Sequence, residues 1–355
     1  MYFRGLWSPE GAIHTVVILS TIAHLILAAT VPLVFHEGHY ASYGYRLAWS
    51  YVDHPPLVGW LQALPVWLSG TDLALRIIPL ASTVANQYLV VLLARTLYPN
   101  ASPWLGLIAV LIIQGELIFH AGISMAPEVP FVTLALVTVW LTHRVIVTNR
   151  WRNWLGLAVA LGFAGLAKYT AVTLAVSVLL ALLIFGKKDW LGGRRFWTAV
   201  LIAVLISSPV FIWNLANDWI SFAHQHNYQA LDRETGYGSW DVWNAVKVQL
   251  GQLAAYSPLL YVGAIFAAIR VFRGLDQGGR LLLIFALPIL LSFLSISGVT
   301  RGRVHWTAAA WLILVPMVAH WLIEVWNRRS ARILAWSSGT FSVLALVAAI
   351  GLYTP

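Results

Sequence analysis

Long apolar segments follow one another along almost the whole chain, and they constrain its fold more than any other feature of the sequence. An apolar run of about 20 residues can cross the hydrocarbon core of a membrane as a helix. Only 10% of the 355 residues are charged, against roughly 25% in ordinary soluble domains. The pattern therefore predicts an all-α, polytopic membrane protein with about eleven transmembrane helices. The predicted spans are 11–34, 73–97, 103–121, 127–147, 153–168, 170–186, 196–212, 245–270, 281–297, 304–325 and 332–353.

The distribution of charge predicts how these spans are oriented. If the N-terminus is cytoplasmic, 15 of the 22 Lys and Arg residues fall in cytoplasmic connections, as the positive-inside rule requires. This alternation holds only if 153–168 and 170–186 are two helices joined by a turn near Lys168-Tyr169. Nine of the 13 Asp and Glu residues then lie on the outer side. We therefore expect an integral protein of the bacterial inner (plasma) membrane, with a cytoplasmic N-terminus and a periplasmic or extracellular active site.

Two predicted outer loops, 35–72 and 213–244, are long enough to hold a site. In the first loop, Ala41–Ser50 and Leu57–Leu68 have helix-like apolar spacing and are separated by a Pro-Pro pair, so we expect two interfacial helices there. The whole of 1–355 is interpreted as a single transmembrane domain without a soluble C-terminal domain. Cytoplasmic Lys and Arg beside anionic lipids explain the net charge of +9. Membrane lipids are therefore expected partners, and nucleic acid is not.

The highest density of titratable side chains lies in the first loop. There, His36-Glu37-Gly38-His39-Tyr40 is followed by Asp53-His54-Pro55-Pro56. The first stretch is similar to the HExxH motif of zinc proteases, but its histidines are three rather than four residues apart and Gly38 disfavours a helix, which argues against a protease. No cofactor is certain from these residues. A divalent metal ion bound by His36, His39 and a carboxylate stays open.

Three groups further along the chain could complete a site for an anionic substrate. Glu128 stands at the predicted outer end of the fourth span, where the helix dipole stabilises a carboxylate. Lys168 lies on the turn between two apolar helices and is costly at membrane depth unless it binds an anion such as a lipid phosphate. Guanidinium and imidazole groups also bind phosphate, and the outer loops supply His54, Arg301, Arg303 and His305.

The second long loop begins with side chains that are typical of sugar binding. Trp213, Asn214, Asp218 and Trp219 combine aromatic faces with groups that form hydrogen bonds. Anchoring at the membrane interface would explain the tryptophans but not the polar side chains between them. The loop is therefore a candidate for substrate binding.

In their order and spacing, these motifs resemble those of the polyprenyl-phosphate-sugar-dependent membrane glycosyltransferases of the GT-C superfold. The resemblance is to the branch that contains protein O-mannosyltransferases and the lipid A aminoarabinose transferase. The similar stretches are His36-Glu37, Tyr40, Asp53-His54-Pro55-Pro56, Pro127-Glu128, Ala167-Lys168-Tyr169-Thr170, Trp213-Asn214 through Asp218-Trp219, and Arg303-Val304-His305-Trp306. The chain departs from that family at His36 and Glu128, where the family has aspartates.

The resemblance implies an enzyme that transfers a sugar, with inversion, from a polyprenyl-phosphate carrier to an acceptor on the outer face of the membrane. The general base would be His36 or Glu37, and Glu128 would be a further catalytic carboxylate. The groups expected to bind the carrier phosphate are His54, Lys168, Arg301, Arg303 and His305. Those expected to bind the substrate are Tyr40, Asp53, Trp213, Asn214, Asp218 and Trp219. The acceptor, whether a lipid, a glycan or a protein, is left open.

Two other interpretations also stay open. A transporter or flippase for lipid-linked sugars would need polar residues at mid-membrane in several spans, and the sequence has few, chiefly Asn86, Gln87 and Gln114. A catalytically inactive accessory subunit would account for the histidine at position 36, where the similar family has an acid.

Overall fold

The structure of the chain is a computed structural model that describes residues 8–225, 240–298 and 303–353. Within these ranges it is helical and contains no β-strand, so the prediction of an all-α fold is confirmed. The α-helices are α1 (Pro9–Thr30), α2 (Phe35–Tyr45), α3 (Leu57–Leu68), α4 (Asp72–Leu97), α5 (Leu105–Gln114), α6 (Leu117–Ala121), α7 (Glu128–Thr148), α8 (Trp151–Ala167), α9 (Ala171–Phe185), α10 (Arg194–Ala216), α11 (Val242–Ala255), α12 (Pro258–Phe272), α13 (Gly278–Ser297), α14 (Ala308–Val325) and α15 (Arg329–Tyr353).

Seven helical stretches in the described ranges are long and apolar enough to cross a membrane, and α11 with α12 makes an eighth if this bent pair is one span. The predicted count of eleven is not confirmed, because two of the predicted spans are broken and two more, found as α8 and α9, have only 17 and 15 residues. The span predicted at 245–270 bends by 107° between α11 and α12, where Ser257 has a φ of 63° and Pro258 cannot continue the preceding helix. The span predicted at 103–121 is divided into α5 and α6 after Gln114.

The chain turns at Lys168, as the alternation of charge predicts. α8 ends at Ala167 and α9 begins at Ala171, and Lys168 between them has an extended backbone with φ −157° and ψ 143°. The prediction of two helices here instead of one long element is confirmed. The turn brings the Lys168 side chain to the end of the bundle where α7 begins, since Lys168 contacts Glu128 there.

α14 is the central helix of the bundle. It contacts α4, α5, α7, α12 and α13, and 78% of its apolar window is buried, more than in any of the other described spans. Small residues allow this close packing. A Cβ atom on Gly263 of α12 would lie only 2.8 Å from a methyl group of Val318 on α14, so this approach of the two helices requires glycine.

α2 begins earlier than the sequence predicts, at Phe35 rather than Ala41. The reason is a cap at its start: the carboxylate of Glu37 accepts a hydrogen bond from the backbone N–H of Val34 at 3.0 Å, as the acidic residue of a capping box does. The second predicted interfacial helix, Leu57–Leu68, is found with the predicted bounds. α2 and α3 pack against each other and together cover one end of the bundle.

An ion pair between Arg76 of α4 and Glu37 of α2 connects this cover to the bundle. Arg76 Nε donates to Glu37 Oε1 at 2.7 Å and Nη2 donates to Oε2 at 2.8 Å. The guanidinium also donates to the carbonyl oxygens of Ala28 and Val31 at 2.8 and 2.7 Å, and to that of Pro32 at 3.1 Å. Both charged side chains are only 1% exposed.

These contacts satisfy the pair completely. Arginine has five N–H donors, and Arg76 makes five hydrogen bonds, two to the carboxylate and three to the end of α1 and the segment after it. A buried charge pair is tolerated when its geometry is good and its remaining hydrogen-bonding groups have partners. Arg76 and Glu37 therefore join α1, α2 and α4 at a single point.

Removal of the Glu37 carboxylate should destabilise the fold, because it leaves the Arg76 charge buried without a partner. We expect Glu37→Ala to lower the free energy of unfolding by about 3–5 kcal/mol, measured as loss of thermal stability in detergent. Glu37→Met combined with Arg76→Met should recover most of the loss, because it removes both charges. The control is Glu10→Ala, which breaks the exposed Glu10–Arg95 pair and should cost less than about 1 kcal/mol. Equal stability of Glu37→Ala and Glu10→Ala would contradict this assignment.

Candidate active site

The centre of the candidate site is an ion pair between Glu128, the first residue of α7, and Lys168, on the turn between α8 and α9. Lys168 Nζ donates to Glu128 Oε1 at 2.5 Å, and the two side chains are 9% and 13% exposed. His305 approaches the same carboxylate oxygen, with Nε2 at 3.7 Å. Three residues far apart in the sequence thus meet at one end of the bundle.

Aromatic rings surround the Lys168 ammonium group. Its Nζ lies 5.9 Å from the ring centroids of both Phe293 and Trp306, within the range of a cation–π interaction. Trp306 belongs to a short 3₁₀ turn, Val304–Thr307, that precedes α14. The cation therefore lies in a partly apolar setting, where its attraction to an anion is stronger than in water.

A second polar cluster connects α2 to the loop before α3. Asp53 accepts hydrogen bonds from His39 Nε2, at 3.0 Å, and from the Tyr43 hydroxyl. On the other side of the loop, the Tyr40 hydroxyl contacts His54 Nε2 at 3.1 Å. His54 Nε2 also lies 3.9 Å from the Asp53 carboxylate. Because residues 39, 40 and 43 share one face of α2, one helix face holds both Asp53 and His54 in place.

This environment changes how the groups of the loop titrate. Burial lowers the pKa of His54, and the nearby charges of Asp53 and Glu128 only partly oppose this. Burial by itself would raise the pKa of Asp53, but the charge of His54 and the hydrogen bonds from Tyr43 and His39 bring it below its usual value. Burial and the hydrogen bond to Asp53 raise the pKa of Tyr43. At neutral pH, Asp53 is therefore the charged member of this cluster and His54 is neutral.

The two candidates for the general base lie on different sides of α2. His36 is exposed and is close enough to His305 for their charges to interact. Glu37, the next residue, points into the bundle and is paired with Arg76. Successive residues of a helix are about 100° apart, so Glu37 can be buried against Arg76 while His36 stays exposed. The structure thus pairs Glu37 with Arg76 and leaves His36 exposed, with its charge interacting with that of His305.

The residues predicted to bind a sugar are divided between exposed and buried positions. Asp218 and Trp219 are exposed and Trp213 is half-buried, whereas Asn214 is completely buried. The amide of Asn214 donates to the Val210 carbonyl oxygen at 2.9 Å and accepts from the backbone N–H of Ser221 at 3.2 Å. Asn214 therefore holds the protein backbone and has no free face for a sugar.

Of the two arginines predicted to bind phosphate, only Arg303 lies within the described residues. Arg303 is exposed and lies near His305, with which its charge interacts. Arg301 lies outside the described residues. The predicted metal ligand His39 directs its Nε2 at both Asp53 and the Tyr43 hydroxyl. In the described part of the chain, no three His, Asp or Glu side chains are grouped closely enough to hold a metal ion.

Sequence reasoning missed Arg76 and Tyr43, and it grouped Ser221 and Gln225 with the candidate sugar-binding segment instead of with the first loop. Arg76 could have been found, because a guanidinium inside an apolar span needs an anionic partner and Glu37 is a carboxylate nearby in the sequence. Ser221 and Gln225 contact the first loop across about half of the chain, and no local pattern predicts such a pairing.

Known proteins are similar to this chain in two ways: solved structures share its fold, and a family model matches part of its sequence. A family model described as dolichyl-phosphate-mannose-protein mannosyltransferase matches residues 53–213. No curated protein sequence matches significantly. The solved structure of ArnT from Cupriavidus metallidurans in the apo state has a TM-score of 0.66 at 15% sequence identity, covering 97% of this chain and 64% of that one.

The same ArnT bound to undecaprenyl phosphate has a TM-score of 0.64 at 17% identity, covering 96% of this chain and 63% of that one. The S. cerevisiae protein O-mannosyltransferase Pmt1–Pmt2 complex bound to the sugar donor reaches a TM-score of 0.45 at 17% identity, over 61% of this chain and 34% of that one. The chain thus has the transmembrane fold of ArnT and spans less than two thirds of its length. The fold expected from the motifs is supported by this likeness to ArnT, and the family model supports it over residues 53–213.

The lowered pKa of His54 predicts how stability depends on pH. A histidine whose pKa is lower in the folded state favours folding above its unfolded pKa of about 6.5, and this contribution is lost as the pH falls below 6.5 toward the folded pKa. We expect the melting temperature to fall with pH less steeply in His54→Gln than in the wild type. His14→Gln, which changes an exposed histidine of α1, is the control and should keep the wild-type slope. An unchanged slope in His54→Gln would contradict the assignment.

Proposed function

We propose that the chain is a membrane glycosyltransferase that transfers a sugar from a polyprenyl-phosphate carrier to an acceptor. The observation that carries the proposal is the buried Lys168–Glu128 pair, with His305 beside it and Phe293 and Trp306 around the ammonium group. The fold shared with ArnT and the matched family model support it. A buried cation at the end of a membrane bundle is what an anionic lipid headgroup requires.

The chemistry of this cluster suits a lipid phosphate. In the absence of a substrate, Glu128 provides the counter-charge that Lys168 needs in its partly apolar setting. When a carrier phosphate binds, Lys168 and Arg303 would share its negative charge, which increases on the phosphate as the sugar leaves. The rings of Phe293 and Trp306 would contact the first apolar carbons of the carrier. In this proposal the two cations, rather than a divalent metal ion, neutralise the departing phosphate.

His36 is the better candidate for the general base. It is exposed and its charge interacts with that of His305, whereas both carboxylate oxygens of Glu37 already accept hydrogen bonds from Arg76. In the proposed step, an acceptor hydroxyl oxygen forms a bond to the anomeric carbon as the bond from that carbon to the phosphate oxygen breaks. The hydroxyl proton moves to His36, and the electron pair leaves with the phosphate. A single displacement of this kind inverts the anomeric configuration.

The side chains proposed to bind the sugar are those that are exposed near Lys168. Trp219 and Asp218 are exposed beside Phe222, whose ring lies 5.3 Å from that of Tyr169, the neighbour of Lys168. We assign the sugar to these side chains, because an aromatic face and a carboxylate suit a sugar ring. Tyr40 and Asp53 would act by holding His54 and the loop. The N-terminus would be cytoplasmic and the site on the outer face, which agrees with the distribution of Lys and Arg.

Transport of a lipid-linked sugar is less well supported. The polar residues inside the bundle bind to one another: Gln114 Nε2 donates to Gln87 Oε1, and the Thr133 hydroxyl donates to Asn86 Oδ1, both at 2.8 Å. Side chains that satisfy each other in this way are not available to a passing headgroup.

Carrier binding tests the phosphate site directly. Lys168→Met removes the central cation, and the loss of a charged hydrogen bond of about 1.5–3 kcal/mol should weaken binding of undecaprenyl phosphate roughly 10- to 100-fold. The control is Lys247→Met, which makes the same change at an exposed lysine of α11 and should bind like the wild type. The measurement is titration of the purified protein in detergent, and equal affinities for both variants would refute the site.

Transfer assays with labelled polyprenyl-phosphate sugars test the base. We expect His36→Ala to lower kcat by roughly 10²- to 10⁴-fold, the usual contribution of a general base, with unchanged carrier affinity. His36→Asp, which restores the residue type of the similar family, should keep most of the activity. If His36→Ala is fully active, His36 is not the base. If the wild type binds the carrier but transfers no sugar to any acceptor, the chain is an inactive subunit and the proposed activity is wrong.

A further inference from the structure

The chain reverses direction sharply after α10 through a turn with an unusual backbone. Asp218 and Trp219 both have positive φ angles, 52° and 58°. Only glycine adopts this left-handed region readily, and for a bulky residue such as tryptophan it is unfavourable. The turn is held by Asn214, whose carbonyl oxygen accepts from the Trp219 N–H at 2.8 Å, and whose side chain binds the Ser221 N–H. A conformation of this kind persists only where the surrounding structure enforces it.

The turn delivers two side chains to the first loop. The Ser221 hydroxyl donates to the carbonyl oxygen of Tyr51 at 2.8 Å and is completely buried. Gln225 Nε2 donates to the carbonyl oxygen of Asp53 at 2.6 Å. Both residues belong to a helical stretch at 220–225. They therefore hold the backbone on both sides of Val52, immediately before His54.

The loop has few other contacts that would fix its backbone. It contains one internal backbone hydrogen bond, from Tyr51 N–H to the His54 carbonyl oxygen at 3.0 Å, and the Ser50 hydroxyl donates to the same oxygen at 3.5 Å. From α3, Trp60 Nε1 donates to the Ala48 carbonyl oxygen at 2.8 Å. From the α2 side, the Tyr51 ring stacks on Tyr43 at 3.8 Å, and its hydroxyl donates to the Tyr43 carbonyl oxygen. The loop is thus held from α2 on one side and from Ser221 and Gln225 on the other.

We propose that Ser221 and Gln225, presented by the strained turn at Asp218–Trp219, are positioning residues that set Asp53 and His54 at the carrier-phosphate site. We call these two side chains the 221/225 latch. The role of Asp53 and His54 in carrier binding rests on the proposed function. The inference that Ser221 and Gln225 hold the loop rests on their hydrogen bonds to it. The side-chain amides of Asn214 and Gln225 thus hold the protein backbone and do not bind a sugar in this proposal.

The latch is tested with variants that remove one hydrogen bond each. Gln225→Glu keeps the shape of the side chain but replaces the N–H donor with an oxygen, and Ser221→Ala removes the hydroxyl. We expect either variant to raise the KM for the donor and the Kd for undecaprenyl phosphate about five- to tenfold, because the loss of one hydrogen bond costs about 1 kcal/mol. The kcat should stay within about twofold of the wild-type value. Ser221→Thr keeps the hydroxyl and should restore the wild-type KM.

Ser208→Ala is the matched control, because the Ser208 hydroxyl contacts only the Leu205 carbonyl oxygen within α10. It should leave KM and Kd unchanged. A large drop in melting temperature for Gln225→Glu and Ser221→Ala, with KM unchanged in the folded fraction, would show a merely structural role and would overturn the proposal. Unchanged KM and Kd in both variants would overturn it as well.

Amide hydrogen exchange separates a failure of the latch from a failure of the proposed function, since it needs no substrate. In Gln225→Glu, the amides of residues 51–54 should exchange about five- to tenfold faster than in the wild type, while those of α14 keep their protection. Wild-type protein that binds no polyprenyl phosphate would refute the proposed function, and the exchange rates alone would then decide the latch. Unchanged exchange at 51–54 would overturn the latch even in a chain that binds the carrier.

Discussion

The buried ion pair between Arg76 and Glu37 is the contact on which the candidate site depends. All five N–H donors of Arg76 are used, two by the Glu37 carboxylate and three by carbonyl oxygens at the end of α1 and just after it. A charge this deeply buried is costly unless every hydrogen-bonding group has a partner. The pair therefore fixes the start of α2 on the bundle. Because α2 carries His36, His39, Tyr40 and Tyr43, its position decides where the side chains of the first loop lie.

From this anchor, the site is assembled in layers. α2 holds Asp53 and His54 through Tyr40, His39 and Tyr43, and the 221/225 latch holds the same loop from the opposite side. Beneath the loop is the Lys168–Glu128 pair. Both charges of this pair act on His54: Glu128 raises the pKa of the imidazole, and Lys168 lowers it. The candidate site thus combines one charge pair that anchors the fold with a second pair, Lys168–Glu128, in which we propose that a phosphate replaces Glu128.

The all-α membrane fold and the turn at Lys168 could be predicted because they depend on local properties. Apolar runs, proline positions and the alternation of basic loops can all be identified along the chain. The meeting of Glu128, Lys168 and His305 was also anticipated, although only through the resemblance in motif order. The predicted count of spans exceeded what the structure shows, because hydropathy does not register the bend at Ser257-Pro258, the break after Gln114 or the short lengths of α8 and α9.

The roles of individual side chains within the motifs could not be predicted from local sequence properties. His36 and Glu37 are adjacent in the sequence and equally plausible as a base, but in α2, which begins at Phe35, His36 is exposed and Glu37 is buried against Arg76. Asn214 has the composition of a sugar ligand, yet it is buried against its own backbone. In both cases the role depends on the direction of a side chain, and that direction is set by where a helix or turn begins.

By itself, the sequence determined that the chain must be a helical membrane protein, and it determined which side chains are available for chemistry. Composition and apolar length decide this, because an exposed backbone polar group cannot be tolerated in lipid and helices satisfy those groups locally. The tertiary structure alone decided which carboxylate pairs with Arg76 and which pairs with Lys168, and which residues support the loop of His54. These distinctions arise from contacts between residues that are far apart in the chain, such as Ser221 with Tyr51 and Lys168 with Glu128, and no local pattern encodes them.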